Sequence, residues 1–337
     1  MNKDCPSVSV VMCTYNGAAF IPAQLDSILS QNYPIREIII QDDQSTDDTL
    51  RILQAYAIRD SRIRIFTVDK RRGINHNFIT AIDKAQGDLV AWSDQDDVWL
   101  PDKLDKLVAD IRKEDSWISF HLTQGFIGNC PAEAGPFDRR TPNFGLEREL
   151  FLGTVPGHTM LFRRELHRMI RERVPDRTLE QLSEAFYYDA ILSIVANAYG
   201  KVHVIVEPLD FHRRLPTSAS GGFVKRDRMK RSASNAILQI LRCMNPLRRR
   251  KIRPYFVRRM TYLSRLIDCF PDATHTGNVR HMIQSYQSPW KIIQFPCALV
   301  QNRDRILYAK EDHELTAVLR AALFAITYQD YFAINLK

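Results

Sequence analysis

Apolar positions along the first 110 residues switch repeatedly between strand and helix periods. Ser7 to Met12 is a short β-branched run ending in the polar turn Thr14-Tyr15-Asn16-Gly17, a strand buried on both faces. Phe20, Ile21, Leu25, Ile28 and Leu29 recur at helical spacing, and Pro34 ends that segment. Glu37 to Gln41 reads as a second strand and runs into the acidic turn Asp42 to Asp48. Thr49 to Ile58 predicts a helix, Ile63 to Val68 a strand, Asn75 to Ala85 a helix and Asp88 to Ser93 a fourth strand. Helices between strands imply parallel pairing through right-handed crossovers. Polar clusters follow strands one, two and four directly, and in an open parallel sheet such turns gather at the edge where ligands bind.

Beyond Ile111 the pattern weakens. Gly and Pro punctuation up to Arg148 suggests loops and short strands, and Phe151 to Phe162 is strand-like around Gly153 and Gly157. Arg164 to Arg173 and Leu179 to Tyr199 read as helices and Lys201 to Val206 as a last strand. After Gly221-Gly222 the composition turns basic and helical. Two units are expected: an α/β domain over 1–222 and a mainly helical region over 223–337.

Composition narrows the class. Hydrophobic residues make up 45% and charged residues 26%, ordinary for a globular protein. No stretch reaches the roughly 20 uninterrupted apolar residues needed to cross a bilayer. No basic segment followed by an apolar run opens the sequence, so the cytoplasm is the expected location. Six cysteines without a CxxC pair argue against a structural zinc or a disulfide framework. The net charge of +8 is local: Lys225 to Arg265 holds fourteen Lys or Arg against one acid, leaving 33 bases and 38 acids elsewhere. A basic helix with an apolar face predicts contact with an anionic membrane surface, on the inner face of the plasma membrane, or else a cationic cap on the domain. No nucleic-acid recognition motif accompanies it, so no nucleic-acid partner is expected.

The chemistry concentrates in two acidic turns. Asp94, Asp96 and Asp97 follow a buried strand, and carboxylates gathered in a cleft repel one another unless a cation joins them. Hard oxygen ligands suit Mg²⁺ or Mn²⁺ bridging a diphosphate, with Asp96 and Asp94 as the candidate ligands. Asp97 or Asp102 could equally cap the helix starting near Pro101. In the turn after strand two, Asp43 could accept hydrogen bonds from a base or a ribose, while Asp47 and Asp48 suit a helix N-terminus.

Three segments in order, Ser9 to Gly17, Ile39 to Thr49 and Trp92 to Leu104, closely resemble family 2 of the inverting glycosyltransferases. The likeness covers roughly the first 110 residues, and the Ser-Asp-Gln-Asp-Asp-Val-Trp form resembles a rhamnosyltransferase-like subgroup of bacterial surface polysaccharide synthesis. The resemblance implies a GT-A fold, here with a helical C-terminal extension. It implies transfer of a hexose, with rhamnose one option, from a dTDP- or UDP-sugar to a glycan or lipid-linked glycan acceptor. By position it places Thr14, Tyr15, Asn16, Asp43 and Asp94 at the donor nucleotide and Asp94 and Asp96 at diphosphate and metal. Asp189 falls where the family carries its general base, although Tyr188 stands where an acid usually precedes it; Glu184 is the reserve. Gly157 and His158 fall in the segment facing the sugars, and Arg213 or Arg214 in a loop whose cations face the diphosphate. A nucleotidyltransferase is the main alternative, yet the turn after strand one has no Lys or Arg to hold a triphosphate. A non-catalytic sugar-binding relative should have lost carboxylates that are all present here.

Overall fold

The computed structural model describes residues 5–128, 131, 134, 145–150, 155–214 and 246–306. Strands β1 (Val8–Thr14), β2 (Ile35–Asp42), β3 (Ile63–Thr67) and β4 (Leu89–Ser93) alternate with helices α1 (Ile21–Leu29), α2 (Thr49–Arg59) and α3 (Ile74–Ile82). β1 pairs in parallel with β2 and β4, and β2 with β3, as the alternation predicts. The sheet then continues through β5 (Val98–Trp99), β6 (Ile118–Phe126), β7 (Met160–Arg163) and β8 (Val202–Arg213), in the order β3-β2-β1-β4-β7-β6-β8-β5. β7 runs antiparallel to β4 and β6, which turns the sheet from a purely parallel one into a mixed one.

Both faces are covered, which is why the early strands are almost uninterrupted apolar runs. Val8, Val10, Met12, Ile38 and Ile40 pack on one side with α1 and α4 (Lys103–Lys113). Val11, Ile39, Val90 and Trp92 face the other side and join α3, α5 (Arg164–Arg173), α6 (Asp176–Leu182) and α7 (Tyr188–Ala198).

Three expectations change. The apolar run 179–199 is two helices, because Ser183 to Tyr187 break it between α6 and α7. β6 is a nine-residue strand where only short pieces were expected. β8 runs on to Arg213, and the register shift at Leu122 takes up the place of Pro208, which has no N–H for the ladder. The expected boundary at 222 and the basic residues 225–245 lie outside the described residues.

The C-terminal helices α8 (Pro246–Asp268), α9 (Gly277–Gln287) and α10 (Lys291–Gln301) follow. Ile252, Phe256, Met260, Leu263, Leu266 and Ile267 of α8 are buried in the same cluster as Leu182, Phe186 and Tyr188. Its cations are divided. Arg258 pairs with Glu184, Arg259 donates to the carbonyl of Ala185 and covers the ring of Phe186, and Arg265 donates to Gln181. Lys251 and Arg253 point outward beside exposed Tyr255 and Val257. Among the described residues no helix is long and apolar enough to cross a membrane.

Candidate functional site

The turns after β1, β2 and β4 meet at one edge of the sheet and are stitched together by side chains. Asn16, in a left-handed conformation (φ 49°) that Asn tolerates, accepts from the backbone of Thr46. Its own N–H donates to Ser45, and that of Gly17 to Thr49. Gln95, the middle residue of the acidic motif, accepts from the N–H of Tyr15 and donates to its carbonyl. A Cβ at position 17 would stand 2.3 Å from the Gln95 amide oxygen, so Gly17 is what admits that strut. Thr14 is buried and donates to Asp42, framing the cleft from below.

Asp43 accepts from the backbone N–H groups of Arg72 (2.8 Å) and Gly73 (2.9 Å). Arg71 lies 3.8 Å from the centroid of the Tyr15 ring and 3.9 Å from Asp43. Sequence reasoning overlooked this exposed cation; the basic triplet Lys70-Arg71-Arg72 before Gly73 was the available signal.

Asp94 and Asp96 line the cleft, whereas Asp97 turns inward. Burial, with Asp97 and Asp94 adding like charge, pushes Asp96 up to about 7. Burial and Asp97 likewise raise Asp94, whose carboxylate accepts a long hydrogen bond from the Trp92 indole (3.3 Å). Among the described residues no hydrogen bond reaches the Asp96 carboxylate. Arg213 is buried and donates instead to the carbonyls of Asp96 and Gly128. Crowded carboxylates with oxygens free on the cleft side fit a divalent cation.

Asp97 and the turn at Gly157 belong to a buried ion network. Asp97 accepts from His212 (2.9 Å) and from the backbone of Arg213 (3.0 Å), and its other oxygen lies 3.5 Å from His158. His158, stacked on His212 at 4.4 Å, donates to Asp210 (3.0 Å), which also takes the ammonium of Lys103. Burial pushes the His158 imidazole down, but Asp210 and Asp97 outweigh it and hold it at about 9, an imidazolium at neutral pH. Burial takes nearby His121 down to about 3, so it is neutral. The ligand atoms of Asp97, His158 and His212 lie within 4.8 Å of one another, a geometry a metal could use. With Nδ1 of both rings already donating to carboxylates, this set is better described as an ion network. Arg213 and Arg214 close the region: Arg214 donates its N–H to Phe126, and its guanidinium crosses Gly125, where a Cβ would meet it at 2.4 Å.

Asp189, in the first turn of α7, is held by the N–H groups of Gly157 (3.0 Å) and Ala190 (2.7 Å). Burial raises it to about 6 despite those bonds, with Asp94 adding to the rise. A carboxylate at this value is ionised at neutral pH yet basic enough to take a proton. Gly157 packs against the Trp92 indole, where a Cβ would lie 2.7 Å away. The acidic motif and Asp189 therefore meet through Trp92 and Gly157. Glu184, by contrast, is exposed and paired with Arg258.

A family model described as Glycosyl transferase family 2 matches residues 9–170. Residues 9–170 belong to glycosyl transferase family 2. The match takes in all three turns and Gly157. TuaG of Bacillus subtilis (strain 168), a protein named for teichuronic acid biosynthesis, is 42% identical over 101 residues, 30% of this chain and 40% of that protein. The dTDP-rhamnosyl transferase RfbG of Shigella flexneri is 41% identical over 98 residues, 28% of this chain and 34% of that protein. The chain thus spans well under half the length of these two relatives. The mannosyltransferase PcManGT from Pyrobaculum calidifontis, solved with GDP-Man and Mn²⁺, superposes with a TM-score of 0.52 at 20% identity, covering 98% of this chain and 86% of that one. S. aureus TarS 1–349 with UDP gives 0.51 at 18% identity, covering 91% and 94%. The fold is GT-A, the architecture that the turn sequences imply.

Proposed function

We propose that this chain is a metal-dependent, inverting glycosyltransferase of bacterial surface polysaccharide synthesis. It moves a hexose from a dTDP- or UDP-sugar to a glycan or lipid-linked glycan acceptor. The observation that carries this is that Asp94, just beyond the carboxyl end of β4, lies near enough to Asp189 to raise its carboxyl, across the contact of Trp92 with Gly157. Support for donor and acceptor class comes from the relatives: RfbG is named for dTDP-rhamnosyl transfer, and WfgD of Escherichia coli for transfer from UDP-Glc to a diphosphoundecaprenol-linked sugar.

In this reading Tyr15, Asn16, Asp43 and Arg71 receive the nucleoside, and Asp94 and Asp96 hold the Mg²⁺ or Mn²⁺. When bound, that ion neutralises charge growing on the departing diphosphate. Asp189 accepts the acceptor hydroxyl's proton as its oxygen attacks the anomeric carbon from the face opposite the leaving group. The Gly157 N–H fixes the carboxylate's direction, and Trp92 sets its separation from Asp94. Thr14, His158 and Arg213 frame the cleft from behind. The outward cations and apolar side chains of α8 would bring the protein to an anionic membrane surface on the cytoplasmic side, where a lipid-linked acceptor lies. The division into a catalytic unit over 1–222 and a basic helical unit over 223–337 remains part of this proposal.

The purified chain should release nucleotide diphosphate from a dTDP- or UDP-sugar only with Mn²⁺ or Mg²⁺ and only with an active Asp189. Release that survives both chelation and Asp189→Asn would overturn the assignment.

A further inference from the structure

Helix α7 carries the proposed base in its first turn, yet its N-cap residue supplies no cap. Its N-cap residue Tyr187 makes no side-chain cap bond, and the Asp189 carboxylate is engaged by Gly157 and Ala190. The N–H of Tyr188 is one of the donors that a helix start leaves without an intrahelical partner. That donor is satisfied from 113 positions away: Tyr188 donates to the amide oxygen of Asn75 at 3.0 Å. The amide nitrogen of Asn75 donates in turn to the carbonyls of Phe186 (2.9 Å) and Ser183 (3.3 Å). One side chain thus grips both the start of α7 and the 183–187 break that sets where α7 begins.

Asn75 sits two residues beyond the Arg72-Gly73 turn that Asp43 holds through both of its oxygens. Gly73 is left-handed (φ 83°), a conformation that a side chain would strain, and its carbonyl accepts from Asn77 in the first turn of α3. The segment 71–75 therefore bridges two places. At one end Arg71 and Asp43 flank Tyr15 in the nucleoside cleft; at the other Asn75 caps the helix bearing Asp189. On the far side the same break is braced by Arg259, through the Ala185 carbonyl and the Phe186 ring.

We propose that Asn75 is a positioning residue that ties the nucleoside-binding turn to the proposed base, so that donor occupancy orders the start of α7 and aims Asp189. This rests on the glycosyltransferase reading. A displacement of about 1 Å in a reacting group can cost on the order of 100-fold in rate. Asn75→Ala should accordingly lower kcat by about 10- to 100-fold, while the affinity for UDP or dTDP with MnCl₂ stays within about twofold, since Asn75 itself touches no nucleoside-cleft residue in this arrangement. Asn75→Asp keeps the acceptor for Tyr188 but loses the donor to Phe186 and should fall between the two.

Hydrogen exchange followed by mass spectrometry separates positioning from folding. In the unmodified chain, UDP or dTDP with MnCl₂ should slow exchange in 71–75 and also in 183–191. In Asn75→Ala the first protection should persist and the second disappear. Protection of 183–191 that survives in Asn75→Ala, or that is missing from the unmodified chain although 71–75 is protected, overturns the coupling alone. No protection in either segment of the unmodified chain overturns the nucleotide-sugar reading and this inference with it.

Discussion

The ammonium of Lys103 lies 3.0 Å from the carboxylate of Asp210, and neither side chain reaches solvent. Lys103 also donates to the carbonyl of His158 (2.7 Å) and lies over the ring of Trp99 at 4.0 Å. The pair joins the start of α4, the Gly157-His158 turn and β8. Asp210 needs this cation: burial would raise its carboxyl, but Lys103 first and then the charged His158 hold it well below the usual range. Removing one partner of such a buried pair leaves an uncompensated charge, so Lys103→Met should destabilise the fold by about 3–5 kcal/mol. Chemical denaturation at pH 7 measures this, and a loss below about 1 kcal/mol would show that the charged His158 suffices to hold Asp210.

The metal assignment makes a prediction independent of turnover. An ion that binds only the folded state at 100 times its Kd stabilises by about 2.7 kcal/mol. Mn²⁺ with UDP or dTDP should therefore raise the melting temperature of the unmodified chain, and chelation should reverse the rise. Asp96→Ala should melt no lower than the unmodified chain without metal, because it removes one of three mutually repelling carboxylates, but should show no Mn²⁺-dependent rise. An undiminished rise in that variant would move the metal away from Asp96.

These residues also mark how far the sequence could be read. β1 to β4 and α1 to α3 were legible because each buries a face whose period survives in the residue types. β6 was not: His121, Thr123 and Gln124 interrupt its apolar pattern, and two of them serve the ion network, Thr123 donating to Asp210 and His121 lying 3.7 Å from it. The acidic motif was legible as chemistry, but the sequence left Asp97 between the carboxylate cluster and a helix cap, whereas it is the inward partner of His212 and Arg213. Lys103 has no role assigned to it from the sequence. Its spacing from Leu107 and Ile111 puts it on the buried stripe of α4, a signal that was present and went unused. Asn75 and Tyr188 lie 113 positions apart, and no local pattern relates them.

Asp189 gives a pH signature with a defined sign. Its folded value of about 6 lies above the ordinary 3.8, so the folded state binds this proton more tightly than the unfolded chain does. The resulting stabilisation is complete below about pH 4 and is lost as pH rises through about 6. Asp189→Asn cannot ionise and escapes the loss, so its melting temperature should gain on the unmodified chain between pH 4 and 7. Transfer by the unmodified chain should decline below about pH 6 as the carboxylate protonates. A melting difference independent of pH would mean that Asp189 titrates as an ordinary surface carboxylate.

Gly157 tests whether the two halves of the site share one support. A methyl group there would approach the Trp92 indole to 2.7 Å, and the indole cannot retreat because it stacks on Phe78 with ring centroids 3.6 Å apart. Gly157→Ala must therefore displace Trp92, the donor to Asp94, or the backbone N–H that holds Asp189. Overpacking of this kind costs about 1–3 kcal/mol, and transfer should fall because either movement separates the acidic motif from the proposed base. Phe78→Leu gives the indole room, so in the Gly157→Ala background it should recover part of both losses, whereas alone it should destabilise. Strict additivity of the two changes, in denaturation and in turnover, would show that Trp92 does not carry the link between Asp94 and Asp189.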